Sequence, residues 1–233
     1  MIAPIIICVL GLISLTFFLI TKVKAYSYKA VIIKGITSLL FVSLGIYGLI
    51  YMNFRILSFF MVPGLVLGLL GDVFLDLKYV EKERDFLYTV LGFIVFGLGH
   101  ILYVTGMFLE FYTNQSVLYI IIPLVLGVGS APLTMLVGKF IKADYGKLYW
   151  IAFAYAICLF STLFVSFSLW MMSGFKVVTL LLIFIGALLF VISDLILNMT
   201  YFTEGHEKPF DIISNSVTYY LAQFIIAFAI MFI

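Results

Sequence analysis

Apolar runs of about twenty residues follow one another along almost the whole chain, separated by short polar segments. A helix needs roughly 20 apolar residues to cross the hydrocarbon core of a bilayer. The pattern therefore predicts an all-α integral membrane protein with about eight transmembrane helices in one bundle. The predicted spans are residues 2–20, 31–51, 56–77, 87–109, 117–138, 148–170, 177–199 and 212–233. The connections are short and no linker divides the chain, which predicts a single transmembrane domain over residues 1–233.

Composition agrees with this interpretation. The chain is 65% hydrophobic and only 10% charged, whereas a soluble domain carries about 25% charged residues. A net charge of +2 is too small to suggest a nucleic-acid partner, so the expected partners are membrane lipids. The two cysteines, Cys8 and Cys158, lie inside apolar runs and are interpreted as small packing residues.

Basic residues indicate the orientation. Of the thirteen lysines and arginines, eleven lie in or next to the odd-numbered connections, and the exceptions are Arg55 and Lys176. Cytoplasmic loops carry an excess of Lys and Arg. We therefore expect the odd connections in the cytoplasm, both termini outside, and a multi-pass protein, most simply in the cell membrane.

A few ionisable side chains fall at membrane depth, where each costs about 2.5–3.5 kcal/mol on insertion scales and usually serves a function. Asp72 and Asp194 both lie roughly 7 Å from the cytoplasmic ends of their predicted helices, at about 1.5 Å per residue. Lys34 enters the second span at a similar depth. Two carboxylates and an ammonium are therefore expected to meet in one cavity.

Spacing places further polar residues on the faces of these helices. Residues three or four apart project from one side of a helix. Such sets are Asp72 with Asp76, Asp194 with Asn198, His100 with Tyr103, and Asn215 with Tyr219 and Gln223, beside which Tyr220 lies. We treat Lys34, Asp76, His100, Tyr103, Asn198, Tyr219, Tyr220 and Gln223 as candidate substrate-binding or supporting residues.

Several of these residues also have simpler interpretations. Asp76 can face lipid headgroups at the helix end, and Lys34 can extend its ammonium to the interface. His100 and Tyr103 can serve as interhelical hydrogen-bond partners that hold the bundle together. Asp72 and Asp194 are the hardest to explain by structure alone.

Two segments of the chain are similar to one another in sequence. Residues 71–76 read GDVFLD and residues 193–198 read SDLILN, while Gln223 follows Asp194 at nearly the interval at which His100 follows Asp72. Helices four apart in sequence have the same orientation. The similarity of the two segments therefore suggests a parallel four-plus-four repeat about an axis normal to the membrane.

The candidate chemistry is acid–base catalysis. Two carboxylates in a low-dielectric cavity are not both charged, because desolvation and repulsion disfavour the second anion. The site would then hold one acid and one base, as a general acid–base hydrolase requires. The chain has no G-x-S-x-G motif and only two histidines, which disfavours serine catalysis and a zinc centre. We expect no metal and no cofactor, although an Asp-rich Mg²⁺ or Ca²⁺ site stays open.

Four motifs in order resemble the YhhN-like lysoplasmalogenase family. They are GDVFL at 71–75, GHILY at 99–103, SDLIL at 193–197 and YYLAQ at 219–223. Lys34 resembles the lysine that opens the family's second helix, although Gly35 follows it where the family often has proline. The resemblance extends over nearly the whole chain and over all eight spans.

The resemblance implies hydrolysis of the vinyl ether bond of a lysophospholipid substrate, a lysoplasmalogen. The products would be a fatty aldehyde and glycerophosphoethanolamine or glycerophosphocholine. The family's two intramembrane aspartates correspond to Asp72 and Asp194, which would be the catalytic pair. His100 or Tyr103 would orient substrate or water, and Lys34 would pair with the lipid phosphate.

Two alternatives from the residues stay open. An intramembrane aspartyl protease also needs two facing aspartates, but the sequence before Asp72 is not G-x-G-D and no tyrosine precedes Asp194. A proton-coupled lipid or small-molecule transporter uses buried acids as a proton relay. The repeat would suit a transporter, but no matched pair of spans is interrupted by Gly and Pro.

Overall fold

Eight long α-helices make up most of the protein. The computed structural model describes residues 2–112, 116–203 and 208–233. Its helices are α1 (Ile2–Lys24), α2 (Tyr28–Tyr51), α3 (Ile56–Val80), α4 (Asp85–Phe111), α5 (Leu118–Phe140), α6 (Tyr149–Met172), α7 (Val178–Phe202) and α8 (Pro209–Ala229). Within these residues all eight helices are long and apolar enough to cross a membrane, which confirms the predicted class and the predicted number of spans.

Most helices extend beyond the predicted spans by one to four residues. α1 ends at Lys24 rather than at residue 20, α3 ends at Val80 rather than at 77, and α4 ends at Phe111 rather than at 109. Apolar pattern marks only the hydrocarbon core, whereas helical hydrogen bonds are local and continue into the polar interface. The extension makes Lys22 and Glu110 helical residues.

Glu110, outside the predicted fourth span, ties two helix ends together. It lies in the last turn of α4 with only 4% of its side chain exposed. Its carboxylate pairs with the Arg55 guanidinium and accepts a hydrogen bond of 3.1 Å from the backbone N–H of Leu57. Because Leu57 lies in the first turn of α3, the contact satisfies an otherwise unpaired helix N-terminus.

The order of helix contacts follows two groups of four. Within each group consecutive helices pack against one another, from α1 to α4 and from α5 to α8. Between the groups α4 packs against α6, and α8 packs against α2. If each helix is replaced by its counterpart four places along the chain, the α4–α6 contact becomes the α8–α2 contact. A parallel four-plus-four repeat requires this correspondence. α8 also packs against α1 and α3 without a counterpart of similar extent, so the two halves are not equivalent.

Helices pack closely at glycines that occupy corresponding positions in the two groups of four helices. A methyl group added at Gly64 on α3 would lie 2.3 Å from Cε1 of Tyr103 on α4, and one added at Gly186 on α7 would lie 2.5 Å from Cγ1 of Ile226 on α8. Gly186 follows Gly64 by 122 residues, the interval that also separates the two aspartate motifs. Small residues let helices approach closely in a membrane. The repeat therefore stays a prediction that the described contacts support.

The α3–α4 contact at Gly64 gives a first prediction. Gly64→Ala forces the buried Tyr103 ring to move, and we expect the free energy of unfolding to fall by about 1–3 kcal/mol, as overpacking usually costs. Gly129→Ala on α5 is the matched control, because a methyl group there meets nothing within 4 Å. Thermal unfolding of both variants in detergent measures the difference. Equal midpoints for Gly64→Ala and the parent protein would contradict the described packing.

Candidate active site

A polar cavity opens near the end of the bundle at which α1, α3, α5 and α7 finish. The space between its walls, counted together with the open space at its mouth, is about 720 Å³. Seven of the described helices contribute to its wall, and α5 does not. The residues that the argument below uses are Lys22, Lys34, Asp72, Tyr155, Asp194 and Tyr219.

Asp72 and Asp194 lie in this cavity at equal depth. Each is eight residues before the end of its helix, at Val80 and Phe202 respectively, which is about 12 Å at 1.5 Å per residue. The longer helices increase both depths by the same amount over the sequence-based value of about 7 Å. Lys34 lines the same cavity, so the three groups expected to meet do meet.

Asp72 is held by three donors from two neighbouring helices. It is 2% exposed. Its Oδ2 accepts hydrogen bonds from Ser38 Oγ on α2, at 2.6 Å, and from Tyr219 Oη on α8, at 2.8 Å. Lys34 Nζ lies 3.4 Å from its Oδ1. Buried charges are tolerated where they are both paired and hydrogen-bonded, and Asp72 meets both conditions.

Asp76 joins two lysines one helical turn closer to the helix end. Its Oδ1 lies 2.7 Å from Nζ of Lys22 and 3.0 Å from Nζ of Lys34. The side chain is buried rather than turned toward headgroups, because only 3% of the residue is exposed. Asp76 therefore acts as a bridge between α1, α2 and α3.

Lys34 is buried between two carboxylates instead of extending to the interface. The residue is 8% exposed, and its ammonium contacts both Asp72 and Asp76. With Lys22 the cluster holds two cations and two anions, so its formal charges cancel. A contact between Lys34 and a lipid phosphate stays a prediction, and it would have to compete with these ion pairs.

Asp194 has a different environment. It is half-buried on α7, and its Oδ2 accepts a hydrogen bond from the Tyr155 hydroxyl on α6. Among the described residues no lysine or arginine pairs with it. The two aspartates therefore share one cavity but differ in the charge of their partners.

The polar stripe of α8 faces the carboxylates. Tyr219 donates to Asp72, and the Gln223 amide donates to the Tyr219 hydroxyl at 3.0 Å. The Tyr220 hydroxyl lies 3.1 Å from Ser38 Oγ and donates to the Lys34 carbonyl at 3.2 Å. These contacts hold Tyr219 and the α2 residues in place around Asp72.

Asn215 lies at the start of this stripe and joins α8 to α7. Its Nδ2 donates to the backbone carbonyl and to Oγ of Ser193, at 2.8 and 3.0 Å. Since Ser193 directly precedes Asp194, this pair fixes the backbone on which the second carboxylate is carried.

His100 and Tyr103 lie outside the cavity wall. His100 is 1% exposed, and its Nδ1 lies 3.0 Å from Thr162 Oγ1 on α6. Its ring packs against Phe190 and against the Tyr155 ring, with centroids 4.8 and 5.9 Å away. The contacts favour the interhelical role over direct contact with substrate. His100 therefore acts on the site through ring contacts with Tyr155 and Phe190, and Tyr103 packs on Gly64 deeper in the α3–α4 interface.

Asn198 faces a second cavity that adjoins the first. Its Oδ1 accepts a hydrogen bond of 3.0 Å from the Tyr145 hydroxyl. The second cavity, about 510 Å³ together with the open space at its mouth, lies among α5, α6 and α7 beside Phe93 of α4, and its lining is mainly apolar. Asp194 and Tyr155 line both cavities.

Sequence reasoning missed Lys22, Ser38 and Tyr155. Lys22 followed the apolar stretch and was counted only as a loop charge, and Ser38 is one of many hydroxyl residues in the spans. Tyr155 had a usable signal, because it follows Lys34 by 121 residues, close to the repeat interval. Lys34 contacts Asp72 and Tyr155 contacts Asp194, so the two residues hold matching places in the two halves.

These features define a class of protein, a multi-pass helical membrane protein with two aspartates at equal depth in one polar cavity. The model of the YhhN family matches residues 29–230, and the chain belongs to that family. The match includes both aspartates, Lys34 and Tyr155, whereas Lys22 lies outside it. No curated protein and no solved structure matches the chain.

The ion-pair cluster yields a stability prediction. Lys34→Met removes the ammonium next to Asp72 and leaves Asp76 paired with Lys22, and removing one partner of a buried pair costs about 3–5 kcal/mol. We therefore expect a large fall in the thermal unfolding midpoint. Lys24→Met, at the exposed end of α1, is the control and should leave the midpoint unchanged.

A double variant tests the cause of this loss. Adding Asp76→Asn to Lys34→Met restores the charge balance, so part of the lost stability should return. A double variant less stable than Lys34→Met alone would show that the charges are not coupled in this way.

Proposed function

We propose that the protein hydrolyses the vinyl ether bond of lysoplasmalogens, releasing a fatty aldehyde and glycerophosphoethanolamine or glycerophosphocholine. The observation that carries the proposal is the pair of aspartates at equal depth in one cavity, of which, within the described ranges, Asp72 has a cationic partner and Asp194 does not. Family membership supports it, since the motifs containing both aspartates resemble those of lysoplasmalogenases. The enzyme would then be an intramembrane ether hydrolase that uses carboxyl acid–base catalysis.

The contacts support different roles for the two carboxyl groups in the proposed reaction. Lys34 and two hydroxyl donors stabilise negative charge on Asp72, so Asp72 is the carboxylate. Asp194 has one neutral donor, Tyr155, and borders an apolar cavity, where an uncompensated charge is costly. Asp194 is therefore the protonated acid, and Tyr155 orients it.

The reaction begins with proton transfer from Asp194 to the β-carbon of the vinyl ether, which leaves an oxocarbenium ion. The Asp72 carboxylate stabilises this cation and takes a proton from the water that attacks it. The product of this step is a hemiacetal. Its collapse returns a proton from the hemiacetal hydroxyl to Asp194, while Asp72 protonates the departing glycerol oxygen. One water is consumed and both carboxyl groups return to their starting states.

A proton-coupled lipid or small-molecule transporter is the second candidate. The observation in its favour is the continuous series of titratable groups from Lys22 through Asp76 and Lys34 to Asp72. Buried chains of this kind carry protons in pumps and transporters. The presence or absence of turnover by the purified protein separates the two candidates.

The orientation is also a proposal. We propose that the end of the bundle carrying Lys22, Lys78, Lys82 and Lys139 faces the cytoplasm of a cell-membrane protein, because basic residues concentrate there. Both termini would then face outward, and the cavity would open toward the cytoplasmic side.

The enzyme proposal is tested by aldehyde release from a purified lysoplasmenylethanolamine. We expect turnover by the parent protein and a loss of at least about 10²–10⁴-fold in Asp72→Asn and in Asp194→Asn, as loss of general acid–base catalysis implies. Asp85→Asn, at the exposed start of α4, is the matched control and should keep full activity. In D₂O the aldehyde should carry one deuterium on the carbon next to the carbonyl.

Three results would contradict the proposal. Turnover that survives both substitutions would remove the aspartates from the chemistry. Aldehyde without deuterium would exclude protonation of the alkene. No turnover by a correctly folded protein would favour transport, and cleavage of an intramembrane peptide instead would favour the aspartyl protease.

The proposed orientation is tested by cysteine labelling. Lys82→Cys and Lys176→Cys lie in exposed turns at opposite ends of the bundle, and each is placed in a chain from which Cys8 and Cys158 have been removed. A membrane-impermeant maleimide should label the cysteine at 176 on intact cells and the cysteine at 82 only after permeabilisation. The reverse pattern would invert the topology.

A further inference from the structure

The second cavity has a specific relation to the first. Its wall is mainly apolar and includes Met135 on α5, Leu159 on α6 and Val191 on α7. The first cavity has apolar side chains in its wall as well, such as Phe93 and Phe96, but it also contains the lysines, Asp72 and several serine and tyrosine hydroxyls. Asp194 and Tyr155 belong to both walls, so a hydrogen-bonded carboxyl group lies at the boundary between a space with many polar groups and a more apolar one.

The proposed substrate has the same division. The vinyl ether joins a polar glycerophospho headgroup to an apolar hydrocarbon chain, and the carbon that is protonated is the second carbon of that chain. If the headgroup occupies the first cavity, the scissile bond falls at the boundary and the chain continues into the apolar space. Lipid tails are as apolar as the side chains of this wall, so a chain that moves from the bilayer into the cavity is not exposed to a polar surface.

We propose that the cavity among α5, α6 and α7 is the binding site for the alkenyl chain, and that the residues of α6 in its wall set the chain preference. The inference rests on the proposed hydrolase function and extends it to a residue-level specificity site. Ala152 and Ala156, one turn apart on α6, line the cavity and are 4% and 6% exposed. Their small side chains leave the space that the chain fills.

The cavity also has a route to the lipid. Leu195 lines it and is 46% exposed on the outer surface of α7. α5 and α7 each pack extensively on α6 but not on each other, so the cavity lies over α6 between two helices that are not in close contact. A chain can therefore enter sideways from the bilayer, and the aldehyde can leave by the same path.

A bulky residue on the α6 wall tests the site. Ala156→Phe fills part of the cavity, and we expect kcat/KM for a lysoplasmenylethanolamine with an octadecenyl chain to fall about tenfold or more. The value for an octenyl chain should change little. Ala154→Phe, two residues away on the exposed face of α6, is the matched control and should not alter the ratio. Ala156→Leu provides a smaller change if Ala156→Phe does not fold.

The outcomes separate this inference from the proposed function. Equal losses for both chain lengths, or no loss for either, would overturn the chain site while leaving the hydrolase intact. If no chain length is turned over, the hydrolase proposal fails. Whether the cavity binds a lipid chain is then tested with a lysophosphatidylethanolamine that carries a diazirine in its chain. Photolabelling of α6 and α7 that Ala156→Phe abolishes would support the site, and label found only elsewhere would overturn it.

Discussion

The cost of burying charge in a membrane bundle is the constraint on which the polar end of this protein depends. Each ion there must be compensated by a partner brought from another helix, because water is excluded. Asp76 meets this condition by holding Lys22 of α1 and Lys34 of α2 on one oxygen. The same contacts fix Lys34 beside Asp72. The ion pairs that hold α1, α2 and α3 together are therefore the same contacts that place a cation in the proposed active site.

The two halves of the bundle place different partners next to their buried aspartates, and the proposed chemistry depends on that difference. Lys34 and Tyr155 hold matching places relative to Asp72 and Asp194. A cation at the first place favours a carboxylate, whereas a neutral hydroxyl at the second leaves the acid form favoured in an apolar setting. In the proposed reaction the acid and the base therefore differ because Asp194 has a tyrosine hydroxyl where Asp72 has an ammonium.

The sequence sufficed to predict what depends on local pattern. Apolar runs predicted eight spans, and residue counts along each helix placed Asp72 and Asp194 at the same depth, because rise per residue is constant. The sequence did not predict the contacts between helices, because periodicity indicates which face of a helix is buried but not which helix packs against that face. Ser38 and Lys22 were missed for that reason. His100 has the pattern of a site residue, yet its side chain is held by Thr162 behind Tyr155.

The location of Asp194 explains why a hydrolase of this kind would need a membrane fold at all. A carboxylic acid keeps its proton at neutral pH in a weakly hydrated setting, because desolvation disfavours the carboxylate. The acid must also reach the junction between headgroup and chain, which lies below the surface of the bilayer. Asp194 lies about 12 Å inside the end of α7, with the first cavity on one side and the more apolar cavity on the other. A bundle with a cavity at its end and an apolar cavity beside it gives one carboxyl group both surroundings.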